Sequence, residues 1–342
     1  MSVQAQTRPR GVDDLLGPGE GRFFGAGFRR IRHTLTALTA DAPAPGTGTL
    51  RATVGLHYPG DWSSKPGQEA LRPHLSSVDA LVIGVQLCEV LLAHAYGLGA
   101  EERRVTWLRG FEMRSGANPQ EELADFAVSA ELVSTEPVAD PLSRAAVSTL
   151  RCRVGSIKVR YEIAHPPGDH RTGTATYTDA VEALGPAEHR FYGERYKRRL
   201  HRIEDIATAA GTPALTALVA VRDEAAGTVA DPGLGGAFPQ AVSMVDSTIV
   251  LAQMAQVLLY ELDGIGRAES DTLWMRRIHM TAQSPLQPML HPFVAATSIV
   301  RHKTLPMGGD TWRTADFAGD VQGIHAEYAL AHRLPRSAAR PH

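Results

Sequence analysis

The sequence predicts an α+β protein made of two similar halves, each a long buried helix wrapped by a curved antiparallel sheet. The segment VDALVIGVQLCEVLL, which begins at Val78, recurs as VDSTIVLAQMAQVLL at Val245. Both copies are apolar nearly all round, as expected of a helix buried on most sides. The stretches after each copy alternate between apolar and polar residues, which is the period of antiparallel strands.

The similarity continues along the chain at a constant offset of 167 positions. The matching residues are Trp107 with Trp274, Arg109 with Arg276, Met113 with Met280 and Phe126 with Phe293. VGSIKVRYEIAH at Val154 then aligns with VQGIHAEYALAH at Val321. Because no net insertion separates these blocks, we interpret residues 78–165 and 245–332 as two copies of one fold.

Each copy predicts the same order of elements. A strand, TLRATVGLHY or ALTALVAVRD, precedes the helix. Ser76 and Ser77 can cap the first helix, and Gly97 and Gly264 can end the two helices. In the first copy RVTWLRGFEM, ADFAVSAELV and GSIKVRYEIA follow as strands. One buried helix wrapped by a curved antiparallel sheet is the hot-dog arrangement, so the two copies resemble a tandem, or double, hot-dog protein.

The domain boundaries follow from the repeat and from Pro/Gly-rich stretches such as HPPGDHRTG. A chain of 342 residues exceeds what one compact core usually holds, which favours a duplicated unit. We predict an N-terminal segment at 1–45, a first hot-dog domain at 46–166, a linker at 167–210, a second hot-dog domain at 211–335 and a tail at 336–342.

Composition excludes several classes of protein. A net charge of −2 gives no electrostatic case for nucleic-acid binding. The two cysteines, Cys88 and Cys152, are typical of buried thiols in a reducing cytosol, and no stretch approaches 18 consecutive apolar residues. We therefore expect a cytoplasmic protein, as a monomer or homodimer. No metal-ligand spacing or nucleotide-binding glycine loop is present, so we expect no cofactor beyond an acyl carrier.

Polar residues recur on the apolar helix. Asp79 and Gln86 are two helical turns apart and share a face, and Asp246 and Gln253 repeat the pattern. The carboxylate can favour the positive end of the helix dipole while the amide satisfies a backbone group. Alternatively, this face lines a substrate channel in which the aspartate is a base or an anchor and the glutamine orients an acyl carbonyl.

Arginines fall within apolar strand faces. Alternation places Arg109 on one face with Trp107, and Arg276 with Trp274. A core-facing arginine needs a carboxylate or a ligand, because an unpaired buried charge costs several kcal/mol. Two alternatives remain: a structural Asp–Arg link in each half, or contact of Arg109 and Arg276, beside the tryptophans, with a substrate.

The second half is richer in groups that bind anions. His279 stands where the first half has Glu112, and Arg301 and Lys303 stand near Ser134 after alignment. A solvated loop explains the Arg-His-Lys run equally well. We nevertheless count His279 as catalytic and Arg301 and Lys303 as substrate-binding candidates, and expect the larger loss of activity from Asp246.

Two further sites are proposed. His57 lies in LHYPGDW, which resembles the His-aromatic-Pro-Gly loop of hot-dog acyl-thioester dehydratases, and is a candidate general base. His74 is a similar case with less support. The segment HRFYGERYKRRLHR carries a basic run from Arg190 to Arg202, which is interpreted as a solvated helix face or as a docking patch for an acyl carrier protein.

The N-terminal signature VDDLLGPGEGRFFGAGFRR, followed by the double helix-and-sheet pattern, resembles the AvrD family over most of the chain. Members of that family are implicated in making syringolides from a β-ketoacyl chain and a pentulose. The resemblance implies acyl transfer from a β-ketoacyl thioester, on coenzyme A or a carrier protein, to a hydroxyl of a ketose or ketose phosphate. This logic is similar to that of the A-factor synthase family of butenolide and butyrolactone pathways. The alternatives are a hot-dog dehydratase or thioesterase, and a non-catalytic acyl-binding protein.

Overall fold

One large antiparallel sheet and two long helices form the core of the protein. The computed structural model describes residues 10–65, 72–140, 143–208, 211–224, 231–270 and 273–335. The helices in this part of the chain are α1 (Val12–Leu16), α2 (Ser77–Tyr96), α3 (Ala100–Val105), α4 (Ala180–Leu184) and α5 (Met244–Asp263). The α+β class is therefore confirmed.

The strands fall into two sets along the chain. The first set is β1 (Arg32–Ala42), β2 (Gly48–His57), β3 (Trp107–Arg114), β4 (Phe126–Asp140), β5 (Ser143–Val154), β6 (Ile157–His165) and β7 (Gly173–Asp179). The second set is β8 (Arg199–Thr208), β9 (Ala214–Asp223), β10 (Trp274–Ala282), β11 (Phe293–Met307), β12 (Asp310–Val321) and β13 (Ile324–Arg333). All pairings between neighbouring strands are antiparallel.

The order of strands in the sheet has an internal symmetry. The order is β7-β1-β2-β4-β5-β6-β3-β10-β13-β12-β11-β9-β8. Apart from β7, the order β1-β2-β4-β5-β6-β3 of the first half matches the order β8-β9-β11-β12-β13-β10 of the second half, read inward from the two edges of the sheet. The halves meet where β3 pairs with β10, and there Glu112 lies opposite its own counterpart His279. We infer that an approximate twofold axis passes through this pair and relates the two halves.

Helices α2 and α5 begin and end in the same way. Ser76 and Ser243 are the N-caps, and Gly97 and Gly264 end the helices in the left-handed conformation, at φ of 62° and 61°. Almost every residue of both helices is buried, because each packs against strands of its own half and the two helices contact each other. Helix α2 is long and apolar enough to span a membrane, but 89% of the tested window is buried inside the protein, as in a core helix.

The prediction that residues 167–210 form a linker is wrong, and the repeat begins earlier in the chain than the constant offset of 167 indicated. This segment contains β7, α4 and β8, which continue the sheet. LGPGEGRFFG at Leu16 and LGPAEHRFYG at Leu184 are likewise copies of each other, each just before the first strand of a half. Ala37 in β1 and Asp205 in β8 both have positive φ where the ladder to the next strand is irregular. Similarly, β1 lies within the predicted N-terminal segment 1–45 but is part of the first half.

The basic run from Arg190 to Arg202 is largely internal. Arg190, Lys197 and Arg199 are buried, whereas Arg198 and Arg202 are exposed. The run forms a 3-10 turn followed by β8 and not a helix with one solvated face. The predicted solvated helix face and carrier-docking patch are therefore both wrong for most of its cations. The two cysteines are buried, free thiols, as predicted, and their sulfur atoms lie 3.5 Å apart.

Candidate active site

Asp79 is the third residue of α2 and holds the start of the helix in place. The Ser76 hydroxyl accepts from the Asp79 N–H at 3.1 Å and the Ser76 N–H donates to Asp79 Oδ2 at 3.1 Å, which is a capping box. The Ser76 hydroxyl also donates to Asp79 Oδ2 at 2.6 Å. His33 Nε2 lies 2.8 Å from Asp79 Oδ1, and the Tyr58 hydroxyl donates to Oδ2. The buried carboxylate thus ties β1 and the end of β2 to the start of α2.

Asp246 repeats this arrangement at the start of α5. Ser243 forms the capping box, and His201 Nε2 lies 2.8 Å from Asp246 Oδ1. No tyrosine stands at the position equivalent to Tyr58, where the strand register places Asp223. Instead, the Arg199 guanidinium lies 3.9 Å from Asp246 Oδ2. Arg199 occupies the position of Ile31 in the first half, so the second carboxylate gains a buried cation.

Both carboxylates are held in the charged form. Burial raises the pKa of Asp79, but hydrogen bonds and charge from His33, together with Ser76 and Tyr58, outweigh burial and leave the pKa below its ordinary value. Burial also raises the pKa of Asp246, but the charge of Arg199 and the bond from His201 lower it to about 2. A carboxylate so firmly ionised is a poor proton acceptor near neutral pH, so we interpret both as anchors.

The predicted link between these carboxylates and the strand arginines is wrong. The register of β3 shifts between Leu108 and Gly110, and that of β10 shifts at the equivalent place, so Arg109 and Arg276 sit at bulges. A bulge breaks the alternation that placed both arginines on the core face. Arg109 instead lies over the Trp107 ring at 5.7 Å, and Arg276 Nη1 donates to the Gly116 carbonyl at 3.1 Å.

The repeated glutamines connect each helix to the segment that precedes the other half. Arg22 Nη1 donates to Gln253 Oε1 of α5 at 2.6 Å, and Arg190 Nη1 donates to Gln86 Oε1 of α2 at 3.3 Å. All four side chains are buried. Helix α1 accordingly packs on α5, and α4 packs on α2. Each glutamine thus links the helix of one half to the segment that precedes the other half. These contacts do not support the prediction that the glutamines orient an acyl carbonyl.

A deep pocket, here called the α2 pocket, lies between the halves at the start of α2. It encloses about 1190 Å³ including its opening to solvent. Ser76 and Ser77 of the first half form one wall, and Trp274 and Met275 of β10 form another. The N–H groups of Asp79 and Ala80 bond to Ser76, whereas those of Ser77 and Val78 have no hydrogen bond among the described residues. The positive end of α2 is therefore open to a ligand.

The lining of the α2 pocket carries only positive charge. Its cationic residues are Arg22, Lys65, Arg267 and Arg276, and no aspartate or glutamate is among the described lining residues. Lys65 Nζ donates to the Ser270 carbonyl at 2.6 Å, and Arg267 Nη2 donates to the Gly21 carbonyl at 2.9 Å. These acceptors position Lys65 and Arg267 at the wall of the pocket, and Arg22 forms an ion pair with Asp13 outside the lining. The pocket thus fits an anionic ligand that also has an apolar part.

His74 is the titratable base in the α2 pocket. Its ring is half-buried, packs edge-on to Trp62 with centroids 5.9 Å apart, and has Nδ1 3.4 Å from the Arg72 carbonyl. Burial lowers the pKa of His74, so the neutral ring predominates at pH 7. The Tyr58 hydroxyl is 3.0 Å from the His74 carbonyl, so Asp79 positions this segment through Tyr58.

A family model of the Pseudomonas avirulence D protein (AvrD) matches residues 8–335, which is nearly the whole chain and includes every residue of the site described above. The chain belongs to the AvrD family. No functionally curated protein gives a significant match.

Solved structures similar to this AvrD-family chain include hot-dog proteins and thioesterases. A conserved protein of unknown function with hot-dog fold from Alicyclobacillus acidocaldarius is 11% identical, with a TM-score of 0.36 over 83% of this chain and 92% of that chain. A putative thioesterase II from Thermobifida fusca YX is 12% identical, with a TM-score of 0.32 over 84% and 92%. The 12:0-ACP thioesterase from Umbellularia californica is 9% identical, with a TM-score of 0.35 over 84% and 96%.

The structure separates the other predicted site residues of this AvrD-family protein. Trp274 and Arg276 line the α2 pocket, and Trp107 lines a second, smaller pocket at the start of α5. His57 is exposed at the end of β2, and its neighbour Tyr58 points inward. The strand alternation explains this, because adjacent residues face opposite sides. His57 is therefore removed as a candidate base.

The remaining predicted site residues of the second half, His279, Arg301 and Lys303, are not among the residues that line either pocket. His279 is exposed opposite Glu112 on the outer face of the sheet. Arg301 is exposed and pairs with Asp316 at 2.6 Å, and Lys303 is exposed on the same strand. The basis for expecting the active site near Asp246 is thus wrong, because His279 faces the outer side of β10 and the exposed end of β11 carries Arg301 and Lys303 into solvent.

Sequence reasoning missed several residues that the fold brings together. His33 and His201 are 168 positions apart, and Arg22 and Arg190 share the same spacing, so an offset of 167 does not align them. Searching RFFG against RFYG would have found the arginines. Lys65, Tyr260 and Arg267 have no equivalent residue of the same type in the other half, so the repeat could not identify them. Among the described residues no cluster of three or more His, Cys, Asp and Glu could hold a metal ion.

Proposed function

We propose that this protein is an acyltransferase that joins a β-ketoacyl thioester to a hydroxyl of a ketose or ketose phosphate, in the synthesis of a syringolide- or butenolide-like lipid. The α2 pocket carries this proposal, because it combines an open helix start, a neutral histidine and four cations without a carboxylate in its described lining. Family membership supports the same chemistry. We place the protein in the cytoplasm and expect no resident cofactor.

The proposed reaction needs one proton transfer in each direction. His74 Nδ1 faces the Arg72 carbonyl, so the proton lies on Nδ1 and the Nε2 lone pair serves as the base. Nε2 takes the proton of the acceptor hydroxyl, whose oxygen attacks the thioester carbonyl carbon. The carbon–sulfur bond then breaks, and the departing thiolate takes the proton from His74. The products are a β-keto ester and a free thiol.

The oxyanion of the tetrahedral intermediate requires donors in the same pocket. The N–H group of Ser77, which lines the pocket at the positive end of α2, is suited to this role. Tyr260 also lines the pocket, and burial raises the pKa of its phenol, which keeps it a neutral hydrogen-bond donor. Removing one such donor typically costs about 100-fold or more in turnover.

The cations fit phosphate on either substrate. Coenzyme A and the arm of a carrier protein both bring phosphate to an acyl thioester, and a ketose phosphate brings one on the acceptor. The Arg267 guanidinium is held by the backbone carbonyls of Gly21 and Ser64, and Lys65 lies in the same wall of the pocket. The donor is acyl-coenzyme A or an acyl carrier protein, and the largely internal Arg190–Arg202 run is not proposed as a docking site for the carrier protein.

The experiment measures free thiol released from a β-ketoacyl-coenzyme A with and without a pentulose phosphate. Acyl transfer predicts thiol release that depends on the acceptor, with an ester product identified by mass spectrometry. Release without the acceptor would indicate a thioesterase instead. An enoyl product from a β-hydroxyacyl thioester without thiol loss would indicate a dehydratase, and ligand retention without any product would indicate a binding protein.

A further inference from the structure

The second pocket, here called the α5 pocket, is built from the counterparts of the α2 pocket. It encloses about 650 Å³ including its opening and lies at the start of α5, between the halves. The equivalent lining residues are Trp107 for Trp274, Leu108 for Met275, Gln287 for Gln120 and Ile324 for Ile157. Ser243 and Met244 replace Ser76 and Ser77 at the helix start. The approximate twofold axis therefore generates two pockets and not one.

The charges of the α5 pocket cancel, in contrast to those of the α2 pocket. Two arginines and two aspartates line it. Arg199 Nε is 3.5 Å from Asp223 Oδ2, and Arg195 lies 3.8 Å from Asp223 and 3.7 Å from Asp231. Asp246, just behind the lining, adds a further negative charge near Arg199. An anionic ligand is therefore opposed by carboxylates on several sides, so the pocket favours an uncharged ligand.

The α5 pocket offers hydrogen-bond donors on the Arg195 side chain and at the start of α5. The Arg195 side chain is 11% exposed, and its ion-pair distances exceed those of hydrogen bonds, so its N–H groups have no hydrogen-bonded partner among the described residues. The N–H groups of Met244 and Val245 at the start of α5 are likewise unbonded in this part of the chain. A ligand that supplies an acceptor, such as a carbonyl oxygen, matches these donors.

The rest of the α5 pocket is apolar and lacks the base. Phe191, Leu234 and Phe238 face the space with Trp107. Ala241 stands where the α2 pocket has His74, so no imidazole can take a proton there. We infer that the α5 pocket is a non-catalytic binding site for an uncharged lipid, an acyl chain that ends in an ester or lactone carbonyl. This inference goes beyond the proposed reaction and does not need it.

Calorimetry with a neutral medium-chain β-keto methyl ester as probe tests the inference. Two matched variants fill one pocket each: Leu108→Trp in the α5 pocket and Met275→Trp in the α2 pocket. We expect the ester to bind the wild type and Met275→Trp alike, and Leu108→Trp at least about 10-fold more weakly. The corresponding fatty acid anion should bind the α5 pocket at least about 10-fold more weakly than the ester. Thermal unfolding shows whether each variant is folded.

A second variant covers the case in which Leu108→Trp does not fold. Arg195→Lys keeps the positive charge between Asp223 and Asp231 but removes the planar fork of donors. We expect about 10-fold weaker ester binding with unchanged unfolding temperature. Ester binding lost only in Met275→Trp, equal binding to all variants, or no binding to the wild type would each overturn the inference. A failure of acyl transfer with ester binding intact would affect only the proposed function.

Discussion

Replacing Asp79 or Asp246 by asparagine tests whether the repeated aspartates are anchors or catalytic bases. Asparagine keeps the shape of the side chain and one acceptor oxygen but removes the charge. In the first half the amide can donate to His33 Nε2, because the buried Nδ1 of that ring has no partner in the described structure and can carry the proton. The main loss is the charge assistance of three hydrogen bonds, so we expect a decrease of about 2 kcal/mol in the free energy of unfolding.

Asp246→Asn should cost more than Asp79→Asn. The pKa of about 2, against an ordinary value of 3.8, corresponds to a stabilisation of about 2 kcal/mol from the charged form. The substitution also leaves the buried Arg199 with Asp223 as its nearest anion. Breaking a buried pair costs about 3–5 kcal/mol, so we expect a loss of about 3 kcal/mol for Asp246→Asn.

Urea unfolding at several pH values measures both losses. Because the folded pKa of each aspartate is depressed, its stabilisation is present above about pH 4 and is lost as pH falls through the folded pKa. The difference between wild type and Asp246→Asn should therefore shrink as the pH approaches 2. Turnover at pH 7 should fall less than about 10-fold per folded molecule. Wild-type stability with a 100-fold loss of turnover in Asp79→Asn would refute the anchoring role and make Asp79 a base.

Three further predictions follow from the pockets and the crossed segments. Gln86→Leu and Gln253→Leu should each lower the free energy of unfolding, measured in urea, by about 2 kcal/mol, because a buried arginine loses its acceptor. Additivity of the two losses in the double variant would show that the two contacts act independently. The acid limb of the pH profile of kcat/KM should have its midpoint below about pH 6.5, because burial lowers the pKa of His74. A midpoint above that value would exclude His74 as the base. Arg276→Met should raise the KM for a phosphorylated substrate about 10-fold, with Arg109→Met as its matched control, and equal KM values in the two variants would remove Arg276 from the site.

Local patterns were sufficient to predict the helices and most strands. The apolar segments at Val78 and Val245, the serine caps and the terminal glycines act within one or two turns, and the structure has them where the sequence placed them. The aspartates were also correctly placed in the first helical turn. Their histidine partners were not predicted, because His33 and His201 are distant in sequence and reach the helices only through the sheet.

Other predictions failed because tertiary structure overrode a local pattern. Alternation put Arg109 on the core face, but a bulge in β3 changed its direction. Charge alone made the run at Arg190 look solvated, yet it copies the signature around Arg22 and packs inside the protein. Equivalent residues are 168 positions apart in these two segments and 167 positions apart in the helices. A comparison at the constant offset of 167 therefore did not align the two segments. The α2 pocket could not be predicted, because its walls come from both halves and from residues that have no counterpart.

The most direct test of the central claim, acyl transfer in the α2 pocket, is the initial rate of acceptor-dependent thiol release by His74→Gln and His57→Gln. Glutamine keeps hydrogen-bonding capacity at both positions but cannot act as a base near pH 7. The structure puts His74 in the pocket and His57 on the surface. We predict a loss of about 100-fold or more for His74→Gln and a wild-type rate for His57→Gln. Equal rates for the two variants, or a larger loss in His57→Gln, would contradict the assignment of the reaction to this pocket.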